Sequence, residues 1–315
     1  MIADLKNPKM IPTRNGYGEG LVELGKKNKN VVVLCADLTD STRSSYFKEK
    51  FPERFIEMGV AEQNLVTVAS GLAAVDKIPF VASYAMFCPG RCWEQIRTTI
   101  CYNDRPVIIA GAHAGISVGP DGATHQAIED IGIMRVLPNM RVIVPCDSIE
   151  TKKATIALGK LKKPSYLRFA RNATPVITTE KSFFKIGRAE ILMEGTDVAI
   201  IACGPVLFRA LKAAEELKKQ GINCTVVNNH TIKPLDKKTI LKVAKKCGKI
   251  VTIEEHQVST GMGSAIAEFL AETYPVPMRF IGIKDHYGES GNPDELLKKF
   301  GLTKEQIIKT VRGFK

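Results

Sequence analysis

The run Val31-Val-Val-Leu-Cys-Ala36 is the first of a series of short apolar segments that decide the fold. Its β-branched residues and short length favour a buried strand over a helix. Four similar runs follow, at residues 80–85, 107–112, 141–145 and 166–170. Amphipathic stretches that predict helices occur around them, at residues 15–26, 63–75, 91–102 and 148–160. Alternating strands and helices predict a parallel sheet with helices on both faces.

The same alternation restarts after residues 172–185, a polar segment that contains Pro175. The later predicted strands are residues 198–203, 224–227, 250–254 and 278–283, and the later helices are 205–220, 237–246, 262–273 and 294–300. We therefore predict an α/β protein of two domains, each a mostly parallel sheet with helices on both faces. The expected domains are residues 1–175 and 190–315, joined by a linker at 176–189.

The composition is that of an ordinary globular protein, with 315 residues, 44% hydrophobic and 25% charged. Its eight cysteines form no C-x-x-C pair, so we expect reduced, buried thiols without a zinc site or a disulfide framework. No apolar run reaches the roughly 18 residues of a membrane span, and the N-terminus lacks a signal-peptide pattern. We therefore expect a cytoplasmic protein with no membrane contact.

The formal net charge of +12 allows two interpretations, a nucleic-acid surface or an enzyme for anionic ligands such as sugar phosphates. The lysine runs lie near predicted helix ends, where they complement the helix dipole. No aromatic residues interleave with them, as a platform for single-stranded nucleic acid requires. A solvated basic surface is the favoured interpretation, and we expect no nucleic-acid partner.

Ligands of open parallel sheets bind at the carboxyl ends of the strands, so the loops at 37–44, 86–90 and 114–125 are candidate sites. The last of these, with its continuation to Gln126, is the Gly-rich segment Gly119-Pro-Asp-Gly-Ala-Thr-His-Gln126. A structural turn needs its glycines but does not need His125. Upstream, Met58-Gly-Val-Ala-Glu-Gln-Asn-Leu65 places Glu62 at the start of a predicted helix. The helix dipole alone would favour a carboxylate there, so Glu62 by itself decides nothing. Gly16, Gly18 and Gly20 follow no strand, and Gly261-Met-Gly-Ser264 predicts tight helix packing rather than a phosphate site.

Together these segments resemble the thiamine diphosphate enzymes of the transketolase group, over almost the whole chain. The match is densest from Glu62 onward, at Tyr84-Ala-Met-Phe87, in the Gly-rich loop and at Arg171. The resemblance implies a pyrimidine-binding domain followed by a transketolase C-terminal domain. It also implies that Glu62 hydrogen-bonds the ring nitrogen of the aminopyrimidine of thiamine diphosphate and so activates the cofactor.

The resemblance assigns further roles to residues in the candidate loops. Tyr84 and Phe87 are expected to wall the pyrimidine pocket, although ordinary core packing explains such aromatic residues equally well. Asp37 and Leu38 match positions near the cofactor. His113, Asp121 and His125 are expected to orient the sugar. Arg14, Ser41 and Arg171 match the positions that hold its phosphate, and the alternative is that they are separate surface residues.

A missing motif predicts the assembly. In this family a separate domain with a Gly-Asp-Gly segment and a downstream Asn holds the diphosphate and its Mg²⁺ or Ca²⁺, and this chain has no such segment. That domain takes about 250 residues, which do not fit before Met1. The resemblance therefore implies one half of a split enzyme, without metal ligands of its own, that joins an N-terminal transketolase subunit in an α2β2 assembly.

The expected reaction is transfer of a two-carbon ketol unit from a ketose phosphate to an aldose phosphate, as in the pentose phosphate pathway. The beta subunit of a 2-oxoacid dehydrogenase has the same domain plan but does not need the phosphate residues or the Asp121–His125 loop. A deoxyxylulose-phosphate synthase has closer motifs but is normally one long chain. A non-catalytic regulatory subunit remains the alternative from another class, and it would not need an intact Glu62, Asp121, His125 and Arg171.

Overall fold

A computed structural model describes residues 2–314, so residues 1 and 315 of the predicted domains lie outside the described part. The first half of the chain contains eight strands: β1 (Met10–Pro12), β2 (Val31–Cys35), β3 (Phe55–Glu57), β4 (Ile78–Tyr84), β5 (Ile108–Ala112), β6 (Arg141–Ile143), β7 (Ser165–Arg168) and β8 (Ala173–Pro175). Its helices are α1 (Thr13–Lys27), α2 (Ser45–Lys50), α3 (Glu62–Ala74), α4 (Trp93–Gln95), α5 (Asp130–Arg135) and α6 (Ser148–Leu161).

The second half repeats the alternation with fewer elements. Its strands are β9 (Glu190–Met193), β10 (Val198–Ala202), β11 (Cys224–Asn228), β12 (Thr231–Lys233), β13 (Ile250–Gln257) and β14 (Met278–Ile283). Its helices are α7 (Leu207–Lys219), α8 (Lys237–Cys247), α9 (Met262–Thr273), α10 (Pro293–Lys299) and α11 (Lys304–Arg312).

Two mostly parallel sheets organise these elements, which confirms the predicted fold class. The seven-stranded sheet has the order β12-β6-β7-β5-β4-β2-β3, and the five-stranded sheet has the order β14-β13-β10-β11-β9. Only β12 and β9 run antiparallel to their neighbours. A separate antiparallel pair of β1 and β8 brings the start of the chain to the polar segment that follows β7.

Strand β2 shows why an apolar run without alternation becomes a central strand. Its odd-numbered side chains, Val31, Val33 and Cys35, pack into one hydrophobic cluster, whereas Val32 and Leu34 pack into another on the opposite face. The two faces of a parallel sheet are both covered by helices, so every position of the strand is buried. The eight cysteines are likewise buried and form no disulfide.

The glycines of α1 serve close packing. A Cβ at Gly16 would overlap the carbonyl oxygen of Ser148 at the start of α6, and a Cβ at Gly20 would lie 2.8 Å from the Thr155 Cβ. The missing side chains therefore let α1 lie directly against α6. At the start of α9, the Glu254 carboxylate accepts hydrogen bonds from the N–H groups of Met262 at 2.6 Å and Gly263 at 2.8 Å. The chain's own carboxylate thus occupies the place where a helix start would bind a phosphate.

The predicted helix at residues 91–102 differs from the structure. The segment begins with a single 3-10 turn, continues as α4 and then widens into a π-helix at Ile96–Cys101. Its threonines return hydrogen bonds to the backbone, from Thr98 to the Glu94 carbonyl at 3.0 Å and from Thr99 to the Gln95 carbonyl at 2.6 Å. Such bonds compete with the regular helix pattern and bend helices, which the amphipathic pattern alone does not reveal.

The two halves of the chain are joined by more than a linker. Strand β12 lies beyond residue 190 but pairs with β6 at the edge of the seven-stranded sheet. One hydrophobic cluster contains Leu34 and Ile109 of the first sheet together with Ile201 and Val227 of the second. Within residues 2–314, no helix is both long and apolar enough to cross a membrane.

Candidate active site

Glu57, at the end of β3, organises two of the candidate loops. Its carboxylate accepts the N–H of Asp37 at 2.8 Å, the hydroxyl of Thr39 at 2.8 Å and the N–H of Gly59 at 3.2 Å. The loop after β2 is thereby tied to the turn before α3. Gly59 has φ +67°, a left-handed conformation that glycine adopts without steric cost. This turn places Glu62 as the first residue of α3.

Glu62 is 4% exposed, yet its carboxylate faces a cleft lined by residues 60–64 and Arg91. Arg91 donates to it, with its Nη1 at 3.2 Å from Oε2 and 3.3 Å from Oε1. The Arg91 side chain is half-exposed and its guanidinium lies 4.3 Å from the centre of the Phe87 ring. The buried carboxylate therefore has a half-exposed arginine as its partner, and that arginine packs over an aromatic ring.

The loops after β4 and β5 bring four of the predicted site residues into one aromatic cluster. The rings of Tyr84 and His113 are stacked with their centres 4.1 Å apart. His125 stands edge-on to Phe87 at 5.2 Å and to Tyr84 at 6.1 Å. The Gly-rich loop that carries His125 thus folds back onto the strand that carries Tyr84. These contacts form a surface suited to a flat ring or a sugar.

His113 is neutral at physiological pH. Its side chain is buried, and burial together with the positive charges of Arg14, Arg171 and Arg43 lowers its pKa to about 3. The Nδ1 atom is buried without a hydrogen-bond partner among the described residues. The backbone at His113 has φ +54°, a strained conformation for a residue with a side chain. A neutral imidazole with a free ring nitrogen can donate to or accept from a hydroxyl group.

The three predicted phosphate residues come from helix α1, the loop after β2 and the segment after β7. Arg14 donates from Nη1 to the backbone carbonyl of Ser41 at 2.9 Å, and its Nε is buried without a partner in the described structure. The buried Thr13 hydroxyl donates to the Ala170 carbonyl at 3.1 Å and accepts the Ala170 N–H at 2.8 Å. Thr13 precedes Arg14 and Ala170 precedes Arg171, so this pair of hydrogen bonds holds the two arginines near each other.

Arg171 also reaches the Gly-rich loop. Its Nη1 lies 3.3 Å from the Asp121 carboxylate and 3.1 Å from the Val118 carbonyl. Asp121 is therefore paired with Arg171, one of the residues that are expected to bind the phosphate of the sugar. Burial and the charges of Arg43 and Arg171 lower the pKa of Arg14, because neighbouring cations disfavour one another.

Arg43 was missed by the sequence analysis. It lies two residues after Ser41 in the same loop, and its Nε donates to the Asn15 side-chain oxygen at 3.0 Å. Its charge lowers the pKa of both Arg14 and His113. A basic residue so close to Ser41 was the one sequence feature that could have identified it.

The remaining predicted residues lie around this centre. Asp37 is exposed at φ +55°, and the half-buried Leu38 packs against the hydrophobic cluster that contains Val33.

The second domain supports the Gly-rich loop, because the Glu255 carboxylate accepts the Ser117 N–H at 2.6 Å. Gln126 adds hydrogen bonds to the carbonyls of Gly119 at 3.2 Å and Glu289 at 2.9 Å. In the described part of the chain, no three His, Cys, Asp or Glu residues are grouped so that they could hold a metal ion.

Two family models cover most of the chain. Residues 9–176 match the family described as "Transketolase, pyrimidine binding domain", and residues 187–307 match "Transketolase, C-terminal domain". This chain belongs to the transketolase family. The expected order of a pyrimidine-binding domain followed by a transketolase C-terminal domain is confirmed.

Relatives of this transketolase-family chain include separate subunits. It is 46% identical to the "Putative transketolase C-terminal section" of Methanocaldococcus jannaschii, over 95% of this chain and 94% of that protein. It is 40% identical to the "6-deoxy-6-sulfo-D-fructose transketolase subunit SqwH" of Clostridium sp. (strain MSTE9), over 94% and 92%. A solved structure described as "Split gene transketolase, inactive beta4 tetramer" superposes with a TM-score of 0.90 at 46% identity, covering 96% of this chain and 98% of that one. The chain therefore resembles the C-terminal section of split transketolases along nearly its full length.

Proposed function

We propose that this chain is the pyrimidine-site subunit of a two-subunit, thiamine diphosphate-dependent transketolase. The observation that carries the proposal is the buried Glu62 carboxylate at the start of α3, which faces an open cleft beside the aromatic cluster of Tyr84, Phe87, His113 and His125. A carboxylate in this setting can hold a proton on a flat heterocycle. Arg14 and Arg171, whose charges act on His113 of this cluster, suit the phosphate of a sugar.

The residues fit the aminopyrimidine end of thiamine diphosphate. Glu62 offers a buried acceptor that is hydrogen-bonded to the half-exposed Arg91. Phe87 and Tyr84 offer aromatic faces, and Asp37 and Leu38 border the same loop cluster. Bound there, the cofactor would supply the carbanion chemistry that ketol transfer requires. Glu62 would exchange a proton with the ring nitrogen of the pyrimidine, and the aromatic residues would exclude water.

The sugar would be held by the chain's own hydrogen-bonding groups. Neutral His113 and the edge-on His125 lie where hydroxyl groups of a ketose could be bound. Asp121 can accept from a hydroxyl, and its pairing with Arg171 fixes its orientation. The proposed binding site for the phosphate of the sugar consists of Arg14, Arg171 and the loop at Ser41. A beta subunit of a 2-oxoacid dehydrogenase has no use for such a site, so the arginines favour the sugar-phosphate reaction.

A partner subunit completes the proposed site. The sequence contains no Gly-Asp-Gly segment, and relatives are named as a transketolase section and a transketolase subunit. The partner would hold the diphosphate with Mg²⁺ or Ca²⁺, in an α2β2 assembly. The solved relative described as an inactive beta4 tetramer supports the expectation that this half alone is inactive. A cytoplasmic location and a place in the pentose phosphate pathway are part of the same proposal.

The test is reconstitution. This chain would be mixed with an N-terminal transketolase subunit, thiamine diphosphate and magnesium, and assayed with xylulose 5-phosphate plus an aldose phosphate, and separately with pyruvate. We expect ketol transfer in the mixture and none with either chain alone. Glu62→Gln should abolish turnover with an unchanged circular dichroism spectrum, whereas the exposed Glu272→Gln should retain it. Decarboxylation of pyruvate without ketol transfer, or near-normal activity of Glu62→Gln, would refute the proposal.

A further inference from the structure

Arg43 is held by hydrogen bonds at the edge of the proposed phosphate-binding site. Its N–H donates to the Asp40 carbonyl at 3.2 Å, its Nη1 donates to the same carbonyl at 3.3 Å, and its Nε donates to Asn15 at 3.0 Å. The backbone at Arg43 has φ +65°. A left-handed backbone is unfavourable for a residue with a side chain, and the hydrogen bonds to Asp40 and Asn15 help to hold Arg43 in this conformation.

Arg43 and Arg14 are linked by reciprocal contacts between α1 and the loop after β2. Arg14 donates from α1 to the Ser41 carbonyl of the loop, whereas Arg43 donates from the loop to Asn15, the neighbour of Arg14 on α1. Gly18 makes this approach possible, because a Cβ there would lie 2.7 Å from the Arg43 carbonyl oxygen. The charge of Arg43 accordingly reaches Arg14 and contributes to lowering the pKa of its guanidinium.

This pair of positive charges has no counter-charge in the described chain. Among residues 2–314, neither Arg14 nor Arg43 forms an ion pair, and Arg171 is paired with Asp121. Adjacent like charges repel, so an arrangement that holds them together without a carboxylate is stabilised when an anion binds between them. The unpartnered Nε of Arg14 and the remaining Nη2 of Arg43 supply donors for such an anion.

The charge balance indicates which anion fits best. The guanidiniums of Arg14, Arg43 and Arg171 carry three positive charges, and the Asp121 carboxylate carries one negative charge. The net charge near His113 is therefore about +2. A phosphate monoester carries about −1.5 to −2 charges at neutral pH, whereas a sulfonate of similar tetrahedral shape carries a single charge. One relative is named for a sulfonated sugar, so the identity of the anionic end differs within this family.

We infer that Arg43 makes the anion site of this chain selective for a dianionic phosphoryl end over a monoanionic or uncharged one. The inference rests on the proposed function for its substrate, but it concerns the charge that the site prefers. Removing a hydrogen bond to a charged group costs about 1.5–3 kcal/mol, so the loss of Arg43 should weaken binding of a dianion by roughly 10- to 150-fold. The effect on a monoanion should be clearly smaller, because the remaining charges still neutralise it.

A binding experiment tests this without relying on enzyme activity. The full chain would be titrated with methyl phosphate and with methanesulfonate, two tetrahedral anions that differ in charge, and binding would be followed by the NMR signals of His113 and His125. We expect the wild-type chain to prefer methyl phosphate, and Arg43→Ala to lose most of that preference. Arg43→Lys should restore part of it, because the charge remains while the fork of donors is lost. Arg312→Ala removes an exposed arginine of the second domain and should leave the preference unchanged.

Two outcomes overturn the inference: a wild-type chain that binds both anions equally, or an Arg43→Ala chain whose preference stays within twofold of wild type. In the reconstituted enzyme, Arg43→Ala should raise the KM for an aldose phosphate and leave an unphosphorylated aldose unaffected. An active enzyme with unchanged KM in Arg43→Ala contradicts the role of Arg43 alone. Failure of ketol transfer in the wild-type mixture, with the anion preference intact, contradicts the proposed function alone.

Discussion

Arg91 donates to both carboxylate oxygens of Glu62, at 3.2 Å and 3.3 Å, from the half-exposed side of the cleft. If Glu62 is to meet the pyrimidine ring of the cofactor, Arg91 has to give up at least part of this contact. Water can solvate the half-exposed Arg91 once it leaves, but the buried Glu62 carboxylate needs a new partner, which the ring nitrogen of the pyrimidine would provide. Arg91 is therefore a partner that the cofactor can displace at low cost.

Replacing Arg91 by Met keeps an aliphatic stem near Phe87 and removes the competing charge. We expect the apparent dissociation constant for thiamine diphosphate in the reconstituted pair to fall by up to about fivefold, the equivalent of about 1 kcal/mol. Activity titrations with the cofactor would measure it. A tenfold weakening in this variant would instead mean that Arg91 contributes to holding the cofactor.

Thr13→Val should increase the separation between Arg14 and Arg171, the two arginines of the proposed phosphate-binding site. The variant removes both hydrogen bonds between the Thr13 hydroxyl and Ala170 and leaves the buried Ala170 N–H unsatisfied, which costs about 1–3 kcal/mol of stability. Misplacement of Arg14 relative to Arg171 should raise the KM for the sugar phosphate. Chemical denaturation and kinetics check the two effects, and an unphosphorylated aldose is the control. Unchanged KM alongside the stability loss would limit Thr13 to a structural role.

His113 should make the stability of the chain depend on pH. Its pKa is about 3 in the folded chain and 6.5 ordinarily, so below pH 6.5 the unfolded state takes up a proton that the folded state does not. Stability must then decrease as the pH falls, by about 2 kcal/mol at pH 5 from this group. Denaturation of wild type and His113→Gln at pH 7.5 and 5 isolates the contribution, since wild type should lose about 2 kcal/mol more than the variant. Equal losses would show that burial of His113 carries no such cost.

Two glycine substitutions in helices should have opposite effects. Gly16→Ala forces a Cβ onto the Ser148 carbonyl and should destabilise the chain by about 2 kcal/mol or more. Gly71→Ala on α3 meets no atom within 4 Å and should stabilise the isolated chain by up to about 1 kcal/mol, because alanine favours a helix over glycine. Thermal or chemical unfolding of the two variants checks this. Equal effects of the two changes would contradict the direct packing of α1 on α6.

The sequence pattern identified the elements whose burial is local and regular. Strands such as β2 and β5 are buried on both faces, and the short length of their apolar runs together with β-branched residues separates them from helices. Strand β12 could not be found in this way, because it is three residues long and exists through pairing with β6, about 90 residues away. The π-helix at Ile96–Cys101 depends on side-chain bonds that a periodicity does not encode.

The candidate site divides along the same line. The resemblance to the transketolase group singled out Glu62, His113, His125 and Arg171, and each of them follows or opens a predicted element. The partners that tune them were not predictable, since they depend on tertiary placement. Arg91 on Glu62 and Asp121 on Arg171 are examples. The grouping of Arg43 with Arg14 required knowing that α1 lies against the loop after β2.

Strand β12 also has a consequence for how the chain can be divided. Cutting the protein between its two predicted domains would take residues 231–233 away from β6 and leave an open sheet edge, with unpaired N–H and C=O groups ready to capture another strand. It would also expose the apolar surface shared by Leu34, Ile201 and Val227. Separately produced halves are therefore expected to aggregate or to re-associate with each other, and the two domains should unfold as a single cooperative unit.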